Sequence, residues 1–155
     1  MIILEILNRK ARFNYFIEEE IECGIELFGN EVKSIREGNC NIKDSYALIR
    51  NNEVFIINMF IKKYSNSSLF ASDEVRKRKL LLHKKEIKKL KDSLEKEGYA
   101  LVPLKVYFKN NKIKILLGVC KGKKNYDKRE SLKEKDLKIR IERELKKYWF
   151  LLIMC

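Results

Sequence analysis

GVCKGKKNYDKRE, residues 118–130, is the stretch that divides this chain into two kinds of sequence. It ends a segment of alternating apolar residues and begins a segment dominated by charge. Its two glycines, Gly118 and Gly122, permit close approach of the backbone to a neighbouring group. We therefore predict a folded module over residues 1–122. Over residues 123–155 we predict a basic C-terminal tail that is disordered, or helical when bound to a partner.

The overall charge restricts the class of partner. Lysine and arginine outnumber aspartate and glutamate by 35 to 22, which gives a formal charge of +13 and a pI of about 9.6. Such an excess indicates a polyanionic partner, namely a nucleic acid, an acidic protein or an anionic membrane. Hydrophobic residues make up 45% of the chain, enough for the core of one domain with an appendage.

Cysteine usage and the chain termini favour a cytoplasmic protein. Single, widely spaced cysteines and one histidine predict neither a zinc site nor a disulfide framework. We interpret the cysteines as small apolar residues in a reducing compartment. The apolar run at residues 1–7 has no basic segment before it, unlike a signal peptide. The apolar residues 149–155 are far fewer than the ~20 that cross a bilayer, so we predict no membrane association.

Apolar alternation predicts an antiparallel, mainly β fold. A first strand-like run covers residues 15–17, and alternating patterns indicate further strands over residues 21–27, 46–49, 54–61, 101–108 and 113–119, six or so in all. Asparagine pairs predict tight hairpins at residues 51–52 and 110–111. Pro103 lacks a backbone donor and belongs at an edge or a bulge. A closed OB-like β-barrel satisfies this pattern because closure removes exposed strand edges, and a β-sandwich is the alternative.

One long basic helix is predicted after a loop over residues 65–73. Apolar residues recur at spacings of three and four at Leu80, His83, Ile87, Leu90 and Leu94. Ser72 or Asp73 is the expected N-cap, and Gly98 follows the end of the helix. Nine lysines or arginines and one glutamate occupy residues 76–91, and their mutual repulsion is best explained by a polyanion. Arg78 and Lys79 would meet phosphate at the helix N-terminus.

A short helical turn over residues 31–36 and a charged helix over residues 131–148 complete the predicted elements. Residues 121–148 hold twelve cations and six acids around a narrow stripe of Leu137, Ile141 and Leu145. Such a helix is marginal in water without a partner.

The sequence contains no persuasive motif of a catalytic or metal site. We find no glycine-rich phosphate loop and no Ser-His-Asp set, so we predict no enzymatic activity, no metal and no cofactor. The acids of residues 18–22 alternate between strand faces and form a poor metal cluster. Aromatic and basic residues interleave at 12–15, 107–109 and 124–126, where bases can stack. Among these rings Tyr126 is the one expected to be exposed, while most of the others belong to the core.

Three segments together resemble the SsrA-binding protein (small protein B, SmpB) family. They are NRKARFNYFIEEEIECGIELFGNEVKSIREGNCNIKDSYALI (8–49), RKRKLLLHKKEI (76–87) and GVCKGKKNYDKRE (118–130). The resemblance implies a monomeric, non-enzymatic adaptor of trans-translation. Such an adaptor binds the tRNA-like domain of transfer-messenger RNA and delivers it to stalled ribosomes. Its tail occupies the decoding centre and the messenger channel of the small subunit.

The resemblance also implies particular residues. It places Glu22, Leu81 and Lys114 on the RNA surface, although strand and helix packing remain the alternative for Glu22 and Leu81. Further expected RNA contacts are Lys33, Arg36, Asn41, Asp44, Lys121, Lys123 and Lys124. The residues expected in the decoding centre are Tyr126, Asp127, Lys128 and Arg129.

The residues alone leave two other functions as alternatives, and they also leave the role of the apolar C-terminal segment undecided. A general tRNA- or ribosomal-RNA-binding module would account for the charge and the fold but not for three matched segments. A metal-dependent nuclease requires convergent acidic and histidine ligands, for which the sequence offers no persuasive set. The terminal WFLLIMC (149–155) departs from the polar, basic tails of the family. It is consistent with an altered terminus, a docking patch or an aggregation-prone segment.

Overall fold

The computed structural model describes residues 4–64, 73–96 and 98–154. The described strands are β1 (Glu5–Leu7), β2 (Tyr15–Ile25), β3 (Cys40–Asn41), β4 (Tyr46–Arg50), β5 (Glu53–Ile57), β6 (Phe60–Ile61), β7 (Arg78–Leu81), β8 (Tyr99–Lys109) and β9 (Lys112–Gly122). The described helices are α1 (Arg9–Asn14), α2 (Gly29–Arg36), α3 (Lys84–Leu94) and α4 (Asn125–Met154). The chain divides into two compact units, Met1–Gly122 and Lys123–Cys155.

The first unit is a closed ring of antiparallel strands. Its order is β8-β4-β5-β7-β2-β9, and β9 pairs again with β8 to close the ring. β1 joins β8, while β3 and β6 form a separate two-stranded sheet. This ring confirms the predicted OB-like barrel and not the alternative sandwich, since a sandwich leaves two open sheets.

The core lies inside the ring. On β9, Ile113, Ile115, Leu117 and Val119 are all buried, as their alternation predicts. Residues brought to the same core from the other strands include Val54, Ile56, Leu80, Leu101 and Val106. The predicted alternation of β8 and β9 is therefore confirmed, and the two runs predicted at residues 15–17 and 21–27 belong to one continuous strand, β2, which ends at Ile25. The single strand predicted over residues 54–61 is wrong, because Asn58 has a φ angle of 60° and divides it into β5 and β6, which belong to different sheets.

The hairpins and the bulge also follow from local sequence. Asn51 and Asn52 have φ angles of 53° and 58°, and Asn110 and Asn111 have φ angles of 51° and 62°. Two consecutive positive φ values define the type I′ turn that joins twisted strands. At Pro103 the β8–β9 register shifts, which confirms the predicted bulge and accommodates the missing backbone donor.

The predicted long basic helix is wrong in its first half. Residues Arg78–Leu81 form strand β7, which pairs with β5 and β2, and α3 begins only at Lys84. His83 is the N-cap and is exposed, so it does not lie on the apolar face. Backbone hydrogen bonds to two strands distant in sequence favour a strand here over the helix that the apolar spacing predicts. Leu80 is buried in the core from this strand, as it would be from a helix.

Neither of the two predicted N-cap residues, Ser72 and Asp73, is observed as the N-cap of α3. Ser72 and most of the predicted loop over residues 65–73 lie outside the described residues. Asp73 caps a turn instead, since its Oδ1 accepts a hydrogen bond from the Val75 amide at 3.1 Å. The turn predicted over residues 31–36 is confirmed as part of α2.

Helix α1 is a feature that apolar spacing did not predict. Its N-cap is buried Asn8, whose Oδ1 accepts a hydrogen bond from the Ala11 amide at 3.2 Å. The Asn8 amide group also donates to the carbonyls of Ile42 at 3.1 Å and Pro103 at 2.9 Å. The residues of α1 are largely polar, so its position depends on this buried asparagine and on Ala11, which is buried in an apolar cluster with Val102 and Leu104.

The second unit contains α4, a helix of 30 residues. None of its side chains from residue 125 to residue 153 is buried. The helical spacing of Leu137, Ile141 and Leu145 is confirmed, and these three side chains are 50–59% exposed. No helix in the described parts of the chain is long and apolar enough to cross a membrane.

Candidate nucleic-acid interface

Four neighbouring strands place widely separated residues on one outward face. Gly24 of β2 lies opposite Leu81 of β7 on one side and Lys114 of β9 on the other. Lys114 in turn lies opposite Tyr107 of β8. Glu22 is two residues from Gly24 along β2 and therefore shares its face. We call these five residues the outer patch: Glu22, Gly24, Leu81, Tyr107 and Lys114.

Glu22 is held as an ionised acceptor within the outer patch. The Tyr107 hydroxyl donates a hydrogen bond to Glu22 Oε2, and Lys109 Nζ lies 3.4 Å from Oε1. The Tyr107 hydrogen bond, followed by the hydrogen bond and charge of Lys109 and the charge of Lys114, lowers the pKa of Glu22 below its ordinary value. The carboxylate keeps unoccupied lone pairs for an amino group of a ligand.

Leu81 supplies an apolar contact surface beside these charges. Its side chain is 51% exposed, and it lies on a strand rather than on a packed helix face. A Cβ atom at position 24 would lie 3.3 Å from Leu81 Cβ, closer than most such contacts. Glycine at position 24 therefore lets Leu81 lie over the β2 backbone. The alternative of ordinary helix packing is therefore wrong for this residue.

Several predicted cations lie near the β8–β9 hairpin or on α2. The guanidinium of Arg36 lies 5.9 Å from the centre of the Phe108 ring, which brings α2 to the strand that carries Tyr107. Lys33 lies 5.5 Å from the ring centre of Tyr64. Both cations are exposed, so the ring contacts orient them without removing them from solvent.

Asn41 and Asp44 occupy the connection around β3 and β4. The Asn41 side chain accepts a hydrogen bond from the Lys43 amide at 2.8 Å. Asp44 pairs with Lys10 at 2.9 Å, and the hydrogen bond and charge of Lys10 lower the pKa of Asp44. This ion pair lines a cleft of about 700 Å³ bounded by α1, β4 and the end of α3. Since Lys10 neutralises Asp44, the pair presents no net charge to a phosphate.

The prediction that Arg78 binds RNA is contradicted by its burial. Its side chain is 0% exposed, and its Nε donates to Glu31 Oε2 at 2.6 Å. Its remaining donors meet the carbonyls of Met59 at 2.6 Å, Arg76 at 3.2 Å and Glu74 at 3.1 Å. A guanidinium with all these bonds inside the fold cannot reach an external phosphate. Arg78 is therefore a structural residue, placed inside by the strand alternation of β7.

Its neighbour Lys79 remains a surface residue. The Lys79 side chain is 39% exposed and lies 3.3 Å from Glu53 on β5. An exposed ion pair of this kind is weak and exchanges readily with other partners. Lys121, near the end of β9, is also exposed.

The first turn of α4 organises the predicted tail residues by local bonds. Lys123 Nζ donates to Ser131 Oγ at 2.8 Å, and the Lys124 amide donates to Asp127 Oδ2 at 3.2 Å. Asp127 thus satisfies a free backbone donor at the helix N-terminus. Tyr126 is 59% exposed, as its charged surroundings predict. Lys128 and Arg129 follow on the same turn.

No metal or nucleophile centre emerges from the described residues. They contain no group of three or more His, Cys, Asp or Glu side chains arranged to hold a metal ion. Burial raises the pKa of Cys23 and Cys40 to about 12 and that of Cys120 to about 11. These free thiols stay protonated at neutral pH, which leaves them poor nucleophiles.

Comparison with known proteins identifies the family. A family model described as SmpB protein matches residues 5–147. The chain belongs to the SmpB family. The resemblance of the three sequence segments is thereby confirmed, and SmpB is an RNA-binding protein family.

Individual SmpB relatives agree over nearly the whole chain. The SsrA-binding protein of Clostridium tetani is 58% identical over 139 residues, which cover 90% of this chain and 89% of that protein. The SsrA-binding protein of Treponema denticola is 54% identical, with 90% of each chain covered. A chain of the solved structure "tmRNA-SmpB: a journey to the center of the bacterial ribosome" is 44% identical. It has a TM-score of 0.66 and covers 79% of this chain and 85% of its own.

Sequence reasoning missed the contacts that Tyr107 and Lys109 make with Glu22 in the outer patch. The prediction that most rings other than Tyr126 belong to the core does not extend to Tyr107, whose hydroxyl bonds to Glu22 on the outer face. The available signal was the phase of β8, because Lys105, Tyr107 and Lys109 alternate with buried Leu104 and Val106 and half-buried Phe108. The partner of Tyr107 was not predictable in this way, because Glu22 lies 85 residues away.

Proposed function

We propose that this SmpB-family chain is a non-enzymatic, cytoplasmic RNA-binding adaptor of trans-translation. It binds the tRNA-like domain of transfer-messenger RNA and delivers that RNA to stalled ribosomes for rescue and peptide tagging. The observation that carries the proposal is the outer patch, where three strands bring Glu22, Leu81 and Lys114 together. The names of the relatives, and the tmRNA-SmpB structure on the ribosome, support the same partners.

Each residue of the outer patch supplies a different kind of RNA contact. Lys114 offers a positive charge to a phosphate, which contributes affinity without reading sequence. Ionised Glu22 accepts a hydrogen bond from an exocyclic amino group of a base. Leu81 offers an exposed apolar surface to a ribose or a base. The patch therefore combines one charge contact with two contacts that depend on the shape and identity of the RNA.

Other exposed polar residues extend the surface around this patch. Exposed Lys33, Arg36 and Lys121, together with half-buried Lys79, add positive charge that steers RNA to the barrel. Asn41 and Asp44 contribute polar contacts in this proposal. The cations Lys123 and Lys124 add charge at the start of the second unit.

The second unit acts on the small ribosomal subunit. Tyr126, Asp127, Lys128 and Arg129 enter the decoding centre, and the rest of α4 lies along the empty messenger channel. An exposed helix with nine cations over residues 125–148 suits a channel walled by RNA. The ribosome performs the peptide chemistry, so the adaptor needs neither a cofactor nor a metal.

A competition binding assay at physiological salt tests the proposal. Labelled tRNA-like domain is bound by the full chain and challenged with excess ordinary tRNA. We compare the wild type with Lys114→Ala, Glu22→Ala and Leu81→Ala. Lys138→Ala is the matched control, because it removes an exposed lysine from α4 rather than from the outer patch.

We expect the wild type to bind the tRNA-like domain in preference to ordinary tRNA. Each of the three patch variants should weaken this binding, and Lys138→Ala should not. Lys114→Ala should also reduce the slope of log K against log salt by about one phosphate contact. If ordinary tRNA competes equally and the three variants behave like Lys138→Ala, the proposal fails. The chain would then be a general RNA-binding module whose affinity is bulk electrostatics.

A further inference from the structure

The geometry points to Tyr107 as a positioning residue that orients the Glu22 carboxylate for recognition of the RNA. This inference rests on the proposed function and adds to it a residue that makes the recognition selective. Tyr107 acts through Glu22, and its own contribution to RNA affinity is small.

The first support is the arrangement of strands. Tyr107 lies opposite Lys114 on β9, while Glu22 lies on β2, so the Tyr107–Glu22 hydrogen bond spans the strand between them. A carboxylate on a flexible side chain samples several rotamers when it is free. The hydroxyl of Tyr107 fixes Oε2, and the bond to Lys109 at 3.4 Å directs Oε1. The lone pairs left for a base amino group therefore have a defined direction.

The second support is that the Tyr107 ring is itself held. Lys105 Nζ lies 5.0 Å from the ring centre and also pairs with Glu5 of β1 at 3.7 Å. Glu5 lies opposite Tyr107 in the β1–β8 register. The ring is thus held by Lys105, which is itself held by Glu5. A donor that is held in this way loses little entropy when it orients its acceptor.

The charges around Glu22 favour the same arrangement. Lys109 and Lys114 face Glu22 from β8 and β9, and the Tyr107 hydroxyl completes its surroundings. Burial, followed by the hydrogen bond to Glu22, raises the pKa of Tyr107 above its ordinary value, so its proton stays on the phenol. Tyr107 is therefore a donor and Glu22 an acceptor throughout the neutral range.

The molecule provides a matched control. Tyr99 also lies on β8 and donates its hydroxyl to Glu18 of β2 at 2.8 Å. Its ring has a lysine, Lys96, at 5.9 Å from the centre. The two tyrosines therefore make the same kind of bond between the same two strands, but only Tyr107 bonds to a residue of the outer patch.

The experiment combines Tyr107→Phe, Tyr99→Phe and Glu22→Gln in the full chain. Binding of the tRNA-like domain is measured over a salt series, and the Glu22 carboxyl is titrated by carbon NMR in the free protein. Tyr107→Phe keeps the ring and its contact with Lys105, so it leaves the packing in place. Far-UV circular dichroism and urea unfolding check that each variant folds.

We expect Tyr107→Phe to weaken binding by about tenfold, because an oriented bond to a charged acceptor is lost. In the Glu22→Gln background the same change should cost less than about twofold, as coupled residues do. The salt dependence should be unchanged, and the Glu22 titration midpoint should rise toward its ordinary value. Tyr99→Phe should alter neither the binding nor the Glu22 midpoint.

An equal loss from Tyr107→Phe with and without Glu22→Gln would overturn the inference, because Tyr107 would then act alone. An unchanged Glu22 midpoint in Tyr107→Phe would also overturn it. Failure of the proposed function looks different. In that case the wild type would not prefer the tRNA-like domain to ordinary tRNA, while the NMR titration would still report whether Tyr107 orients Glu22.

Discussion

Strand β9 and helix α4 carry equally regular apolar patterns with different consequences. In β9 the alternating residues Ile115 and Leu117 are 0% exposed. In α4 the residues Ile141 and Leu145, spaced by four, are 50% and 56% exposed. Periodicity therefore predicts the kind of element in both cases. Burial depends on whether other elements of the fold supply a complementary surface.

Polar residues show the same contrast between burial in the barrel and exposure in α4. In the barrel, Arg78 and Glu31 are buried and bonded to each other. At the start of α4, the Lys124 amide donates a local hydrogen bond to Asp127 three residues later, and neither residue is buried. A buried pair is expected to be essential to its unit, whereas a local surface bond shapes only one helical turn.

The largest expected loss of folding stability follows from removing the buried carboxylate of Glu31. Glu31→Ala leaves the Arg78 guanidinium without its carboxylate, so we expect the free energy of unfolding to fall by about 3–5 kcal/mol. The matched control is Glu53→Ala, which removes the exposed partner of Lys79 and should cost about 0.2–1 kcal/mol. Urea unfolding monitored by circular dichroism measures both. Equal losses would show that burial does not distinguish the two ion pairs.

The next effect compares the two apolar patterns directly. Ile115→Ala removes a fully buried side chain, so we expect a loss of about 2–5 kcal/mol from the transfer and cavity terms. Ile141→Ala changes a half-exposed residue and should stay within about 0.5 kcal/mol. Thermal and urea unfolding of the full chain provide the values. A loss of several kcal/mol from Ile141→Ala would mean that α4 contributes to the stability of the folded chain.

A smaller effect concerns the loss of folding stability at acidic pH. Burial alone would raise the pKa of Glu31, but hydrogen bonds from Arg76, the Phe28 amide and Arg78 outweigh this effect and lower the pKa below its ordinary value. The stabilisation from ionised Glu31 is therefore fully present above the ordinary pKa of a glutamate, which applies to the unfolded chain. It is lost as the pH falls through the lower pKa of the folded state. Glu31→Gln should remove this dependence while keeping the shape of the side chain.

The check is the difference in unfolding free energy between the wild type and Glu31→Gln from pH 6 to pH 3. We expect the difference to shrink as the pH falls. Parallel curves for the two proteins would contradict the assignment of this ion pair as a source of acid sensitivity.

Much of the fold was predictable where one segment contains the whole signal. The asparagine pairs specify their own turns, because few other residues adopt two positive φ angles in succession. The bulge at Pro103 follows from its missing donor. The three sequence segments predicted the family and, with it, the outer patch residues Glu22, Leu81 and Lys114.

Two parts were not predictable because they depend on distant partners. Residues 78–81 fit both a helix and a strand, and only pairing with β5 and β2 selects the strand. That choice turns Arg78 from a surface cation into a buried structural residue. The Tyr107–Glu22 bond likewise requires the register of three strands.

The sequence by itself determined the basic charge, the turns, most strands, the charged terminal helix and the family. These depend on local backbone preference, on composition and on patterns within one segment. Only the tertiary structure decided which of the cations are free, which carboxylate is oriented and which apolar stripe is covered. Those outcomes depend on the groups that surround each side chain in space. The groups come from strands that meet only when the barrel closes.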